Sequence, residues 1–308
     1  MKKLDLLIAI SITIIWGSAF AIIELGLKDF PPIFNASLRF LVAAVPLVFF
    51  IKRPKVSLKF LILFGSNYVA MFSLMYVGIK IGMPAGLTSL VLQTAVLFAV
   101  ILSALVLKEK PSPGQITGIF LGVLGVGIIG SDSSNFGSFL SFSLVLGAAF
   151  FYGSSSILMK SADKVDFFSL IIWACLVPPL PLFILSLILE TGHWQAVVNF
   201  SAMAWISILY TGLLGTVVAF ATWGWLLKKY TANHVEPFKL LVPVVGMITS
   251  HLLTGENFSI KVLCAFLFIL VGLFCITFEN KIIEYFSRSQ SALLVKKDTC
   301  IDNARGNS

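Results

Sequence analysis

Residues 5–27 read DLLIAISITIIWGSAFAIIELGL, twenty-three positions with two carboxylates and no basic side chain. A helix of that length reaches about 35 Å, enough to cross the ~30 Å hydrocarbon core of a bilayer. The run is too long for a signal-peptide core and lacks a small-x-small cleavage site, so it is expected to stay as a span. Reading outward with the same ruler gives nine more apolar stretches, at 33–51, 60–79, 84–107, 114–130, 138–159, 168–189, 202–227, 233–254 and 261–279. The whole chain agrees with this reading. Of its 308 residues 58% are hydrophobic and 12% charged, and the mean hydropathy is +0.99. A soluble domain carries about 25% charged residues, so this chain could not cover a soluble surface, and a water-soluble enzyme is excluded. The fold class expected is an all-α integral membrane protein with ten transmembrane helices.

The net charge of +8 does not point to nucleic acid, because the basic residues fall between apolar runs and not on one solvated, aromatic-lined face. Alternating the spans puts 17 of the 22 Lys and Arg on one side, from Lys2 and Lys3 through Lys52, Arg53, Lys108, Lys160, Lys164 and Lys228 to the tail. Lys28, Lys80 and Lys261 fall on the other side. That bias orients the protein with both termini in the cytoplasm. Cys175, Cys264, Cys275 and Cys300 show no CxxC or Cys/His spacing, so neither a metal site nor a disulfide framework is expected.

The two halves repeat weakly. An offset of 136 aligns Trp16-Gly17-Ser18 with Tyr152-Gly153-Ser154, and an offset of 147 aligns Ala85 with Ala232, Ser103 with Ser250, Glu109 with Glu256 and Gly125 with Gly272. Five spans are an odd number, so a second copy must insert upside down. Inverted repeats are the architecture of secondary transporters, whose substrate sits near the midplane where the repeats meet. The expected organisation is a first repeat over 1–136, a second over 137–280, and a polar, disordered cytoplasmic tail over 281–308.

Ionisable groups inside a bundle cost about 3 kcal/mol or more at the bilayer centre, so they face a cavity or a partner. Glu24 follows Trp16 and Phe20 at i, i+4, i+8, one helix face with two aromatic walls and a carboxylate. It either meets a substrate amine or a proton, or reaches water at the helix end. Arg39 lies too deep to snorkel easily, and either forks onto a substrate carboxylate or pairs with Glu24 or a backbone carbonyl. Glu236 and Lys239, three apart, can pair with each other. The fourth span opens with Gly82-Met83-Pro84-Ala85-Gly86, and Ser89 and Gln93 share a face behind it; the ninth carries Pro237 and Pro243. Pro84 and Pro243, with Glu236 and Lys239, are candidates for gating or coupling. Tyr76, Tyr152 and Trp223 are candidate cavity walls. No HExxH, GxSxG or Walker motif occurs, so neither catalysis nor a cofactor is expected.

Several of these phrases resemble the EamA family of the drug/metabolite transporter superfamily, over about residues 5–279. They include Trp16-Gly17, Phe30-Pro31-Pro32, Leu38-Arg39-Phe40, Arg53-Pro54-Lys55-Val56, Gly82-Met83-Pro84-Ala85-Gly86 with Ser89 through Gln93, Ile172-Trp173 through Pro178 and Pro181, and Leu240-Leu241-Val242-Pro243-Val244-Val245-Gly246. The resemblance implies two inverted five-helix repeats in a bacterial inner membrane and export of small metabolites by alternating access. The exporters of O-acetylserine and cysteine are the nearest in pattern. S-adenosylmethionine or a nucleotide, moved in either direction, is the alternative. The chain departs from the pattern at Glu24, where a basic residue is more typical, at the charged Glu236 and Lys239, and in the tail after Glu279.

Overall fold

The computed structural model describes residues 1–131, 137–162, 165–199 and 201–278, and every regular element among them is helical. In chain order these are α1 (Lys3–Gly26), α2 (Pro32–Val48), α3 (Leu58–Lys80), α4 (Ala85–Leu92), α5 (Ala95–Val106), α6 (Pro113–Ser131), α7 (Phe139–Ser161), α8 (Phe167–Ala174) and α9 (Pro179–Leu189). Then follow α10 (His193–Val198), α11 (Ala202–Leu209), a π-helix (Tyr210–Val218), α12 (Ala219–Lys229), α13 (Ala232–Val235), a 3₁₀ turn (Glu236–Leu240), α14 (Leu241–Thr254) and α15 (Ile260–Phe278). The expected tail at 281–308 and Lys164 lie outside the described residues.

Among the described residues nine stretches are long and apolar enough to cross a membrane, so this is a multi-pass membrane protein. The second expected span, α2, is shorter, at 17 residues. It starts at Pro32, in the first-turn position that lacks an N–H in any case. The Glu190 carboxylate accepts the next two amides, Ile33 N at 2.7 Å and Phe34 N at 3.0 Å. Pro46 sits two residues before its end and withholds the donor that the Val42 carbonyl would otherwise accept.

Four of the expected spans are not single α-helices; one of them, 233–254, opens with α13 and the 3₁₀ turn before α14. Residues 84–107 break at Gln93 and Thr94 into α4 and α5. Residues 168–189 break between α8 and α9, where Pro178, Pro179 and Pro181 withhold three donors; Ser37 Oγ donates to the Pro179 carbonyl at 2.8 Å. Residues 202–227 widen in the middle into the π-helix.

The sequence offsets reappear as paired contacts. A Cβ on Gly17 of α1 would lie 2.6 Å from Val245 Cβ and 2.9 Å from Val242 O on α14. A Cβ on Gly153 of α7 would lie 2.6 Å from Ala95 O and 2.9 Å from Phe98 Cβ on α5. The offset of 136 carries Gly17 onto Gly153, and the offset of 147 carries Ala95 and Phe98 onto Val242 and Val245. The same offset of 147 interchanges two further sites between α6 and α15: a Cβ on Gly125 would lie 2.9 Å from Ala265 O, and one on Gly272 would lie 2.7 Å from Gly118 O. Small residues admit such approach of helices in a bilayer, where packing replaces the hydrophobic effect as the driving force. Side chains follow suit. Ser103 donates to Glu109, and Ser250 donates to Glu256. The first bond ties the last turns of α5 to Glu109 beyond its end; the second lies at the N-terminus of α4, where Glu256 accepts Gly86 N. The two bonds thus sit at opposite ends of that span.

Candidate functional site

Two helix interruptions meet in the middle of the bundle. One is the Gln93–Thr94 break, and the other is the 3₁₀ turn Glu236–Leu240, whose last residue stands 147 positions after Gln93. The Gln93 side-chain amide donates to the Lys239 carbonyl at 3.2 Å and so satisfies a group that the tightened turn releases. A third irregularity faces them. In the π-helix Thr216 Oγ1 donates to the carbonyl of Thr211, five residues back, at 2.9 Å, and the Gly215 carbonyl accepts the Trp16 indole N–H at 2.9 Å.

These elements enclose a cavity of about 130 Å³. An apolar cavity of about 150 Å³ holds benzene, so a solute of that order fits. Its walls are largely apolar and come from both halves of the chain: Trp16 and Phe20 from α1, Tyr68, Met71 and Phe72 from α3, Tyr152 from α7 and Phe220 from α12. Gln93, Thr216, Arg39 and Lys239 supply the polar edge.

Arg39 is only 8% exposed. Its Nη1 donates to Tyr76 Oη at 3.4 Å and its Nη2 to Thr216 Oγ1 at 3.2 Å. The guanidinium carbon lies 4.4 Å from the Phe72 ring centre and 5.5 Å from that of Phe40. Such cation–π contacts are worth up to about 2 kcal/mol when desolvated, less than the burial of the charge costs. Nε is buried with no hydrogen-bond partner, and among the described residues no carboxylate approaches the guanidinium within 4 Å. A planar fork of donors on a cavity wall, with its charge unbalanced, has the chemistry to pair with a carboxylate.

Lys239 differs. Its Nζ pairs with Glu236 at 2.7 Å and lies 5.3 Å from the Trp223 ring centre, while Trp223 Nε1 donates to the same carboxylate at 3.4 Å. The local i, i+3 pair is therefore formed, and its anion is spent.

Of the residues singled out from sequence, Trp16, Phe20, Arg39, Gln93, Tyr152 and Lys239 line the one cavity. Tyr76 and Trp223 are fully buried behind it, Tyr76 under Arg39 and Trp223 against Trp16 at 5.1 Å between ring centres. Glu24 does not join them. Eight residues beyond Trp16, it is about 12 Å further along the helix, and its carboxylate accepts Ala85 N at 2.9 Å. There it neighbours Glu256, which accepts Gly86 N at 2.8 Å and Leu87 N at 3.3 Å. Pro84 caps α4 at this point, so two carboxylates clasp the helix start that follows Gly82. Burial, and secondarily the charge of Glu24, raises the Glu256 carboxyl above its usual range. Ser89 is packed away against Gly246 and donates to the Gly86 carbonyl at 2.7 Å. Pro243 is buried in the first turn of α14. Thr216, Gly215 and Glu256 were missed as site residues. Glu256 had a signal only as the repeat partner of Glu109, and a π-turn has none in periodicity.

The sequence matches the EamA-like transporter family twice, over residues 3–131 and 140–278. It is 35% identical to a protein of Escherichia coli K12 named "Probable amino-acid metabolite efflux pump", over 89% of this chain and 95% of that one. A Salmonella typhimurium protein of the same name is 35% identical over 92% and 97%. A "Probable terminal-alkyne amino-acid exporter" of Streptantibioticus cattleyicolor is 26% identical over 83% and 88%. A solved crystal structure shares the fold with a TM-score of 0.61 at 17% identity, covering 90% of this chain and 97% of that one. With two family matches that together span nearly all of the described helices, the chain belongs to the EamA-like transporter family.

Proposed function

We propose that the protein is a secondary transporter of the bacterial inner membrane that exports amino-acid-type metabolites by alternating access, with both termini in the cytoplasm. The observation that carries this reading is Arg39, a buried cation with no anionic partner among the described residues, on the wall of an aromatic cavity between the two halves of the chain. In this reading Arg39 holds the substrate carboxylate, oriented by Tyr76 and Thr216, while Trp16, Phe20 and Tyr152 cover its side chain. The names of the relatives point to the same solute class. O-acetylserine and cysteine suit a cavity of about 130 Å³. S-adenosylmethionine carries a nucleoside besides its amino-acid part and would need a larger space.

The paired contacts of Gly17 and Gly153, and of Ser103–Glu109 and Ser250–Glu256, support two five-helix repeats related by a two-fold axis in the membrane plane, with α2 as the tenth span. Rocking one repeat against the other would expose the cavity to each side in turn. Gln93 and the Glu236–Lys239 turn then act at the pivot, and Glu24 with Glu256 closes the end at α4. Counterflow in proteoliposomes tests the reading. Vesicles preloaded with O-acetylserine or cysteine should accumulate labelled substrate in a saturable way. Accumulation by preloaded S-adenosylmethionine alone would instead favour the nucleoside-bearing alternative.

A further inference from the structure

The cavity lining carries one unbalanced positive charge and no negative one among its described residues. Its described lining contains two cations, Arg39 and Lys239, and no carboxylate. Each nearby carboxylate is committed elsewhere. Glu236 is held by Lys239 and Trp223, and Glu24 and Glu256 are held by the amides of α4, outside the cavity. With Lys239 balanced by Glu236, one positive charge remains, on Arg39. A substrate carboxylate neutralises it. A substrate ammonium would leave water for a space with no counter-ion among the described residues and a guanidinium already in place, which burial makes unfavourable. The ring faces of Phe72 and Phe40 are turned to Arg39.

Resting on the carboxylate-binding reading above, we infer that this site selects an organic monoanion with a compact apolar body and does not read the α-amino group. The substrate class then extends to carboxylates that lack a free ammonium, such as the 2-oxo and 2-hydroxy acids of the same carbon skeletons. Loss of the amino group removes a charge for which the described lining holds no carboxylate, and keeps the ion pair with Arg39.

The test is calorimetric titration of the detergent-purified chain with three ligands of one skeleton: leucine, 4-methyl-2-oxopentanoate and 3-methylbutylamine. They carry both groups, the carboxylate alone and the amine alone. The oxo acid should bind at least as tightly as leucine, and the amine should give no heat of binding. Arg39→Gln should weaken both carboxylates by roughly tenfold or more; since the wild-type series stands without it, a variant that fails to fold leaves the test intact. Leucine binding roughly tenfold tighter than the oxo acid would overturn the inference while sparing a carboxylate-anchored site. Binding of the amine alone, or of none of the three, would overturn the inference and the reading beneath it together.

Discussion

Gln93 donates its side-chain amide to the carbonyl oxygen of Lys239 at 3.2 Å, and so joins the one helix break of the first half to its counterpart in the second. The bond spans 146 residues of sequence and is the only polar link between these two interruptions among the described residues. Replacing Gln93 by Leu keeps the volume and removes the donor. A single neutral hydrogen bond is worth about 1 kcal/mol, so melting should drop only slightly. Counterflow should fall several-fold if the link sets the relative position of the two halves. Thermal denaturation and transport rates on the same preparation separate the two effects.

Gly17 and Gly153 should both resist enlargement, and to different degrees. At Gly17 the added Cβ meets mainly the Val245 side chain, whereas at Gly153 it meets the backbone of Ala95 at 2.6 Å and of Ala99 at 3.0 Å. Overpacking costs about 1–3 kcal/mol, and backbone yields less readily than a side chain. Gly153→Ala should therefore destabilise more than Gly17→Ala. Gly127→Ala, with nothing within 4 Å, should be neutral or slightly stabilising through helix propensity. Melting temperatures of the three variants in one detergent give the order.

Glu256 predicts a pH dependence. Its folded pKa is raised, so the clasped conformation favours the protonated form. That contribution is fully present below the ordinary value of 4.5 and is lost as pH rises through the raised folded value. The detergent-purified protein should gain stability as pH falls from neutral toward 5. Glu256→Gln should flatten that slope. Glu109 and Asp166 act in the opposite sense, because hydrogen bonds from Lys160 and Lys228 hold their carboxyls below 4.5 and 3.8. Their stabilisation is lost only under stronger acid.

Glu109 and Glu256 also make a matched pair of substitutions. Both accept a serine hydroxyl at equivalent positions, but Glu109 pairs with a Lys160 that is half-exposed. Exposed ion pairs contribute little, because solvent and salt screen them. Glu109→Gln should leave melting nearly unchanged, while Glu256→Ala, which strips the α4 amides of Gly86 and Leu87 of their acceptor, should cost clearly more. Denaturation of the two variants at pH 7 compares them.

Much of this architecture was legible in the chain, because the bilayer punishes exceptions. Ten apolar runs, the depth of Arg39 and the Glu236–Lys239 spacing could all be read from residue types, since each is a statement about where charge can and cannot go. The offsets of 136 and 147, weak as sequence similarity, turned out to mark contacts at Gly17 and Gly153 that admit no larger side chain. The irregular backbone was less legible. Pro178 and Pro179 announce a break, but the turn at Gln93–Thr94 and the π-helix at Tyr210–Val218 contain no obligatory breaker at the point of departure. They exist because partners elsewhere, the Lys239 carbonyl and Trp16, stabilise them. Glu24 shows the remaining limit. Periodicity put it on the face of Trp16 and Phe20, but height along the axis decided its neighbours, and those are the amides of α4.

Arg39 is the residue proposed to hold the substrate carboxylate. Counterflow of labelled O-acetylserine or cysteine by wild type, Arg39→Lys and Arg39→Gln, each shown to be folded by its melting transition, tests that role most directly. Strong loss is expected in Arg39→Gln, and partial activity at raised half-saturation in Arg39→Lys, which keeps the charge without the planar fork. Wild-type exchange kinetics in a folded Arg39→Gln protein would contradict that role.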